Sequence, residues 1–177
     1  MKQELEDQLI EKYPALFAGV DEPLTQNLMG FGCEHGDGWY DLLNTMCRLI
    51  SWELRNAGWV DLLPEYREEG KICGQYTAPT LKFMQIKEKF GTLRVYYTLN
   101  QPEDPEHHKY DQKSLDNRYE YIRGRISGFV TYTEHLSAQV CEVCGKPGKT
   151  YYGGWISTKC PDHASAEQLA SDGEELP

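Results

Sequence analysis

The 177-residue sequence has no apolar run approaching the ~18 residues that a membrane-spanning helix needs. Its opening residues, Met1 to Ile10, have neither the basic start nor the apolar stretch of a secretory signal. No membrane partner is therefore expected, and the expected location is the cytoplasm. Basic residues are in short supply, with 18 Lys and Arg against 28 Asp and Glu and a formal net charge of −10. Only residues 63–100 are net basic, with six bases against four acids. That falls short of the footprint of a protein held on a phosphate backbone, so nucleic acid is not an expected partner. No internal repeat or low-complexity tract is present. A composition 40% hydrophobic and 12% aromatic excludes a disordered or fibrous chain.

What the sequence does contain is cysteine. Six cysteines without an export signal argue against a disulfide framework and for metal ligation plus buried thiols. Four chemical groups stand out as Cys141-x₂-Cys144-x₁₅-Cys160-x₂-His163. Two closely spaced pairs let two tight turns each offer two donors to a tetrahedral ion, the arrangement zinc prefers. Gly145 and Gly148 suit the first turn, and residues 150–158 read as a hairpin reversing at Gly153-Gly154. Residues 164–170 are compatible with a helix. Knuckle, hairpin and a ligand pair opening a helix is the order of a treble clef. Four protein ligands close the zinc shell, so one structural Zn2+ is expected.

Elsewhere the pattern is mixed. A helix is expected over residues 3–12, ended before Pro14. A second is expected on Trp39, Leu42, Leu43, Met46, Leu49, Ile50 and Leu54, capped by Asp37 and finishing around Asn56–Gly58. Residues 59–80 look irregular. Strands over 81–88 and 92–99 should form a hairpin turning at Lys89-Phe90-Gly91. A further helix is expected on Tyr119, Ile122, Ile126, Phe129, Leu136 and Val140. Thr133 interrupts that seam, with Tyr132 beside it as cover, and Gly124 and Gly128 read as close approaches to the hairpin. The expected fold is α+β, with two long helices packed on a small antiparallel hairpin or sheet and a treble-clef-like zinc module. Its divisions are a domain over 1–138 with an exposed insertion at 100–115, a packed zinc module over 139–170, and a disordered acidic tail over 171–177.

Weaker signals carry two readings each. Cys33-Glu34-His35 with Cys47 suggests a second metal site, although buried thiols explain it more simply; Cys73 has no assigned role. Gly36-Asp37-Gly38 can be a phosphate loop, but it lacks the P-loop lysine. Lys87, Lys89 and Arg94, with Lys82 near and aromatics between them (Phe83, Phe90, Tyr96, Tyr97), suit an anionic ligand or a nucleobase. The alternative is a solvated strand face. His107 and His108 are candidate bases without an assignable partner, and His135 reads as a surface residue. Trp52, on the polar side of its helix, and Trp59 with Tyr66 are candidate recognition residues, or else pack inside the molecule.

Cys33-Glu34-His35-Gly36-Asp37-Gly38-Trp39, Ile86 to Arg94, Cys141 to Gly148, and Gly154-Trp155-Ile156 before Cys160 together resemble a recurrent group of bacteriophage and prophage accessory proteins. The resemblance covers most of residues 8–163. It implies a gene carried for advantage in infection, acting in the host cytoplasm. The expected function is then a non-catalytic, phage-type binding protein that inhibits a host factor such as an antiviral defence component. It would act by capturing a host protein or sequestering a small signalling nucleotide, and a second copy of the chain is a further candidate partner. The alternatives are a zinc-containing nucleic-acid-associated accessory protein and a metal-dependent hydrolase. The hydrolase would need Glu34, His35, Asp37 and Asp41 to converge on an open metal.

Overall fold

Helix α1, Gln3–Lys12, occupies the expected span and buries Leu9, and Tyr13 beyond it donates its hydroxyl to the side chain of Asn44. The computed structural model that contains it describes residues 1–101, 107–152 and 154–170. Helix α2, Tyr40–Arg55, turns Leu43, Met46, Cys47 and Ile50 inward, and the fully buried Trp39 stands just ahead of it. Asp37 does not cap this helix. It opens a single 3₁₀ turn over Asp37–Trp39. Its carboxylate instead accepts the Lys2 amide at 2.8 Å and pairs with the Lys2 ammonium at 3.1 Å. A donor from the distant start of α1 has outcompeted the local amides.

The sheet sets β1 (Cys33–Glu34) beside β4 (Thr80–Lys89) and β4 beside β5 (Thr92–Asn100). Its hairpin consists of β4 and β5, as expected; β1 runs parallel to β4 through Cys33–Ile86 and Glu34–Lys87. A register shift between Phe83 and Gln85 lets Leu81, Phe83, Ile86, Leu93 and Val95 all face the core. Phe90 and Gly91 at the turn have φ of 54° and 77°, the left-handed geometry of a two-residue hairpin loop. A non-glycine residue there costs about 1 kcal/mol.

Helix α3, Gln112–Ser137, lies along the free edge of β5. Ser137 Oγ accepts the Leu93 amide and Glu134 Oε1 accepts the Val95 amide, each at 2.8 Å. The Tyr119 hydroxyl donates to the Leu99 carbonyl at 2.9 Å. These three side chains occupy edge groups that would otherwise recruit another strand. The helix begins inside the expected 100–115 insertion, because Asp111 accepts the Ser114 amide and caps it. Tyr110 and Leu115 are buried, which corrects the insertion's C-terminal half; residues 102–106 lie outside the described residues. Thr133 does sit in the buried seam, with its hydroxyl on the Phe129 carbonyl. Tyr132 is 68% exposed and does not cover it. Gly124 and Gly128 are not close approaches either: a Cβ on either would meet nothing within 4 Å.

One continuous core joins α1, α2, α3 and the sheet, with Phe17 edge-on to Phe83 at 5.2 Å. Residues 59–80 are less irregular than expected. Strands β2, Trp59–Asp61, and β3, Cys73–Gln75, pair antiparallel. They cover a second small core of Val60, Leu62, Tyr76, Tyr110 and Leu115. Among the described residues no helix is long and apolar enough to cross a membrane.

Candidate metal centre

After α3 the chain reverses into a tight knuckle. The Gly145 amide donates to the Cys141 carbonyl at 2.9 Å and the Cys141 amide to the Lys146 carbonyl at 2.8 Å. Gly145 has φ of 75° and lies against the Gly38 carbonyl, so both conformation and space call for glycine. Strands β6, Lys149–Tyr151, and β7, Ser157–Lys159, follow as a short antiparallel pair. Gly153, half of the expected reversal point, lies outside the described residues. The Thr158 hydroxyl donates to the Gly91 carbonyl at 2.6 Å. It therefore accepts its 2.7 Å bond from Thr150, which ties the β6–β7 pair to the tip of the β4–β5 hairpin. Helix α4, Ala166–Ala170, opens with reciprocal bonds between Ser165 and Gln168, and the Gln168 amide returns to Trp155 and Ser157.

This scaffold brings the four expected ligands together. The donor atoms of Cys141, Cys144, Cys160 and His163 all lie within 4.8 Å of one another. Cys141 Sγ stands 3.7 Å from His163 Nδ1, Cys144 Sγ 3.7 Å from Cys160 Sγ, and Cys160 Sγ 3.3 Å from His163 Nδ1. Bonds of 2.0–2.3 Å to a tetrahedral ion give edges of about 3.3–3.8 Å, so the donor set fits a zinc-sized ion. The four residues can hold one metal ion. Burial pushes the Cys141 thiol up, but the backbone amides of Cys160, Cys144 and Val143 outweigh it and bring it down to about 6. A thiol so placed is readily ionised, the form in which it binds metal. Asp162, between Cys160 and His163 in sequence, pairs with Lys146 at 3.0 Å and stands outside the cluster.

The cluster is tied to the rest of the protein by the Gly36-Asp37-Gly38 segment. The Gly36 amide donates to Glu142 Oε1 at 2.9 Å and the Gly38 amide to the Glu142 carbonyl at 2.7 Å. Trp39 Nε1 donates to the Val140 carbonyl at 2.7 Å. A Cβ on Gly38 would come within 2.2 Å of the Cys141 carbonyl. These amides cradle the knuckle and are not presented to a phosphate, which corrects that reading of the glycine segment. Glu142 is the residue that sequence reasoning missed, since its bonds span 106 positions.

The other expected clusters do not form. Among the described residues Cys141, Cys144, Cys160 and His163 are the single group of metal-donor residues, so Cys33, His35 and Cys47 build no second site. Burial pushes both the Cys33 and Cys47 thiols up. His35 donates from Nδ1 to the Gly36 carbonyl at 2.8 Å, while its buried Nε2 has no partner among the described residues. Burial lowers its pKa from 6.5 to about 4. Glu34 accepts from Gln85 and Asp37 is bound to Lys2, so the hydrolase candidates Glu34, His35, Asp37 and Asp41 do not converge. His108 meets the edge of Tyr66 at 5.5 Å, His135 is exposed, and the side chain of His107 lies outside the described residues.

Trp52 and Trp59 are 52% and 58% exposed, so neither packs inside the molecule. Trp59 lines an open groove of about 470 Å³ with Asp61, Arg118 and Tyr121. The Tyr121 ring is flanked by the guanidinium groups of Arg118 and Arg125 at 5.3 and 5.6 Å. Of the expected aromatic set near Lys87, Lys89 and Arg94, Phe83 is buried, whereas Phe90 and Tyr96 are exposed. The chain matches no protein-family model, no curated protein and no solved structure.

Proposed function

We propose that the protein is a non-catalytic binding protein whose treble-clef-like module, residues 139–170, is fastened by one structural zinc. It captures a host protein in the host cytoplasm and inhibits it, as a phage accessory protein acting on an antiviral defence component. The observation that supports the non-catalytic part is the donor set, four protein donors within 4.8 Å of one another, three of their pairs at 3.3–3.7 Å, with no fifth donor residue in the group among the described residues. Zinc held by three thiolates and an imidazole stabilises the fold and keeps no position for a substrate. Cys141, Cys144, Cys160 and His163 hold it, and Gly36, Gly38 and Trp39 seat the knuckle on the body. The capture part is supported by Trp52, Trp59 and Tyr121, uncovered residues of the types enriched where binding energy concentrates. Nucleotide sequestration draws no support from the Gly36–Gly38 amides, which are already engaged.

The test couples affinity capture from infected host lysate to plaque assays on hosts carrying individual defence systems. The expected result is one enriched host protein, with protection lost when Trp52 and Trp59 are both changed to Ser. No enriched host protein and no phage protected from any defence system would overturn the proposal.

A further inference from the structure

The outer face of the three-stranded sheet gathers Lys87, Lys89 and Arg94 in a chain of net charge −10, with Lys87 and Arg94 half-buried, Lys89 exposed and Glu34 beside Lys87 on β1. Lys87 stands directly opposite Arg94, and Lys89 lies one same-face step nearer the tip. Like charges facing one another across strands repel. Neither is neutralised internally: Arg94 donates to Thr92 Oγ1 and the Leu93 carbonyl. Glu34, the β1 partner of Lys87, accepts from Gln85 instead. Lys87, Lys89 and Arg94 form no ion pair among the described residues.

Two exposed rings accompany these charges. Lys87 Nζ lies 5.6 Å from the Tyr96 centroid and Lys89 Nζ 5.3 Å from that of Phe90. Phe90 is 66% exposed at a positive-φ position where Asn, Asp or Gly fits with less strain. Strain retained for a solvent-facing ring points to a use for that ring. Beyond Tyr96 the same face opens into a mainly apolar groove of about 400 Å³ lined by Leu24, Leu28, Met84 and Tyr96.

We infer that this face docks an extended acidic segment of the captured protein, with the pattern acidic–x–acidic–x–apolar. The inference rests on the protein-binding reading and names the chemistry of the partner. Same-face positions on a strand recur every two residues, about 6.6 Å apart, in the sheet and in an extended peptide alike. One carboxylate then meets Lys89, the next meets Lys87 and Arg94, and the apolar side chain reaches the groove beside Met84. Single-stranded nucleic acid fits less well. Its bases need open ring faces, and the ammonium groups already stand over both rings. A long polyanion is also repelled by the remaining acidic surface, whereas a short segment is not held over it.

The test titrates the zinc-loaded full chain with a labelled peptide, Ser-Asp-Ser-Asp-Ser-Leu-Ser. Its isomer with adjacent aspartates and an oligothymidylate serve as comparisons, read by fluorescence anisotropy and amide chemical shifts. The patterned peptide should bind best, weaken with added salt, and move the amides of residues 84–96. Changing both Lys87 and Arg94 to Glu, or Leu24→Ser, should each weaken it at least about tenfold. Equal binding of the isomer, shifts confined to other surfaces, or tighter oligothymidylate binding to this face would overturn the inference. Host-protein capture that survives the Lys87/Arg94 double change would sink this surface and leave the capture reading standing. Loss of capture only on changing Trp52 and Trp59 would do the same.

Discussion

The body of this molecule and its smaller C-terminal module hold together by different means. The body buries a continuous set of large apolar side chains, among them Trp39, Phe17, Phe83, Ile50, Ile86 and Ile122. The metal module buries mainly Cys141, Cys160, Tyr151 and polar side chains, namely Ser157, Thr158 and Gln168. A segment with so little apolar burial cannot offset its own chain entropy. Its hydrogen bonds are directed inward, at Gln168, or at the body, through Glu142, Val140 and Thr158. Hydrophobic collapse thus accounts for the body. In the module docking contacts replace it, joined by metal–ligand bonds under the structural-zinc proposal.

The comparison can be broken most forcefully at Cys144. Cys144→Ser should abolish metal retention and unfold residues 139–170, losing a large part of the roughly 10 kcal/mol that structural zinc contributes. Metal analysis should return close to one zinc per wild-type chain and much less for the variant, with the module's amides losing hydrogen-exchange protection. The converse change is Ile86→Ala, at a fully buried position of the sheet. It should cost about 2–5 kcal/mol of global stability, read by denaturant unfolding, while zinc content stays at one.

Acidification probes the junction through His35. Its pKa is held at about 4 against 6.5 when unfolded, by burial first and then by the Met1 ammonium, while the Gly36 carbonyl and Asp37 pull the other way. The unfolded chain therefore takes up the proton first. The contribution is complete above about pH 6.5, is lost as pH falls towards 4, and amounts to about 3 kcal/mol. His35→Leu should flatten the pH dependence of tryptophan-monitored unfolding in that window. The smallest effect belongs to Glu142→Ala, which strips the Gly36 amide of its acceptor for about 1–2 kcal/mol. Limited proteolysis should then cut faster within 139–170, with cutting in the body unchanged.

What could be read from the sequence was whatever is local. The Cys141–His163 spacing, α1 and the reversal expected at Lys89-Phe90-Gly91, which the structure narrows to Phe90-Gly91, each depend on residues at most a few tens of positions apart. Strands β2 and β3 escaped notice because three residues carry no usable alternation, and their pairing is fixed by Leu62 packed over Gly74. The glycines of 36–38 looked like a ligand loop because the partner that uses their amides, Glu142, is more than a hundred residues away. Gly124 and Gly128 carried a packing role in the sequence, yet they face open space. Exposure of Trp52 and Trp59 depends on what the fold fails to place over them.

The claim that matters most is that the metal fastens the fold and leaves no seat for a reactant. The direct measurement is the visible spectrum of cobalt-substituted protein, titrated with cyanide or azide. Four-coordinate bands that do not move, alongside a melting temperature that collapses on chelation, are the predicted result. Bands shifting on addition of the anion, or showing a fifth, exchangeable water ligand, would contradict the account and make the centre a catalytic one.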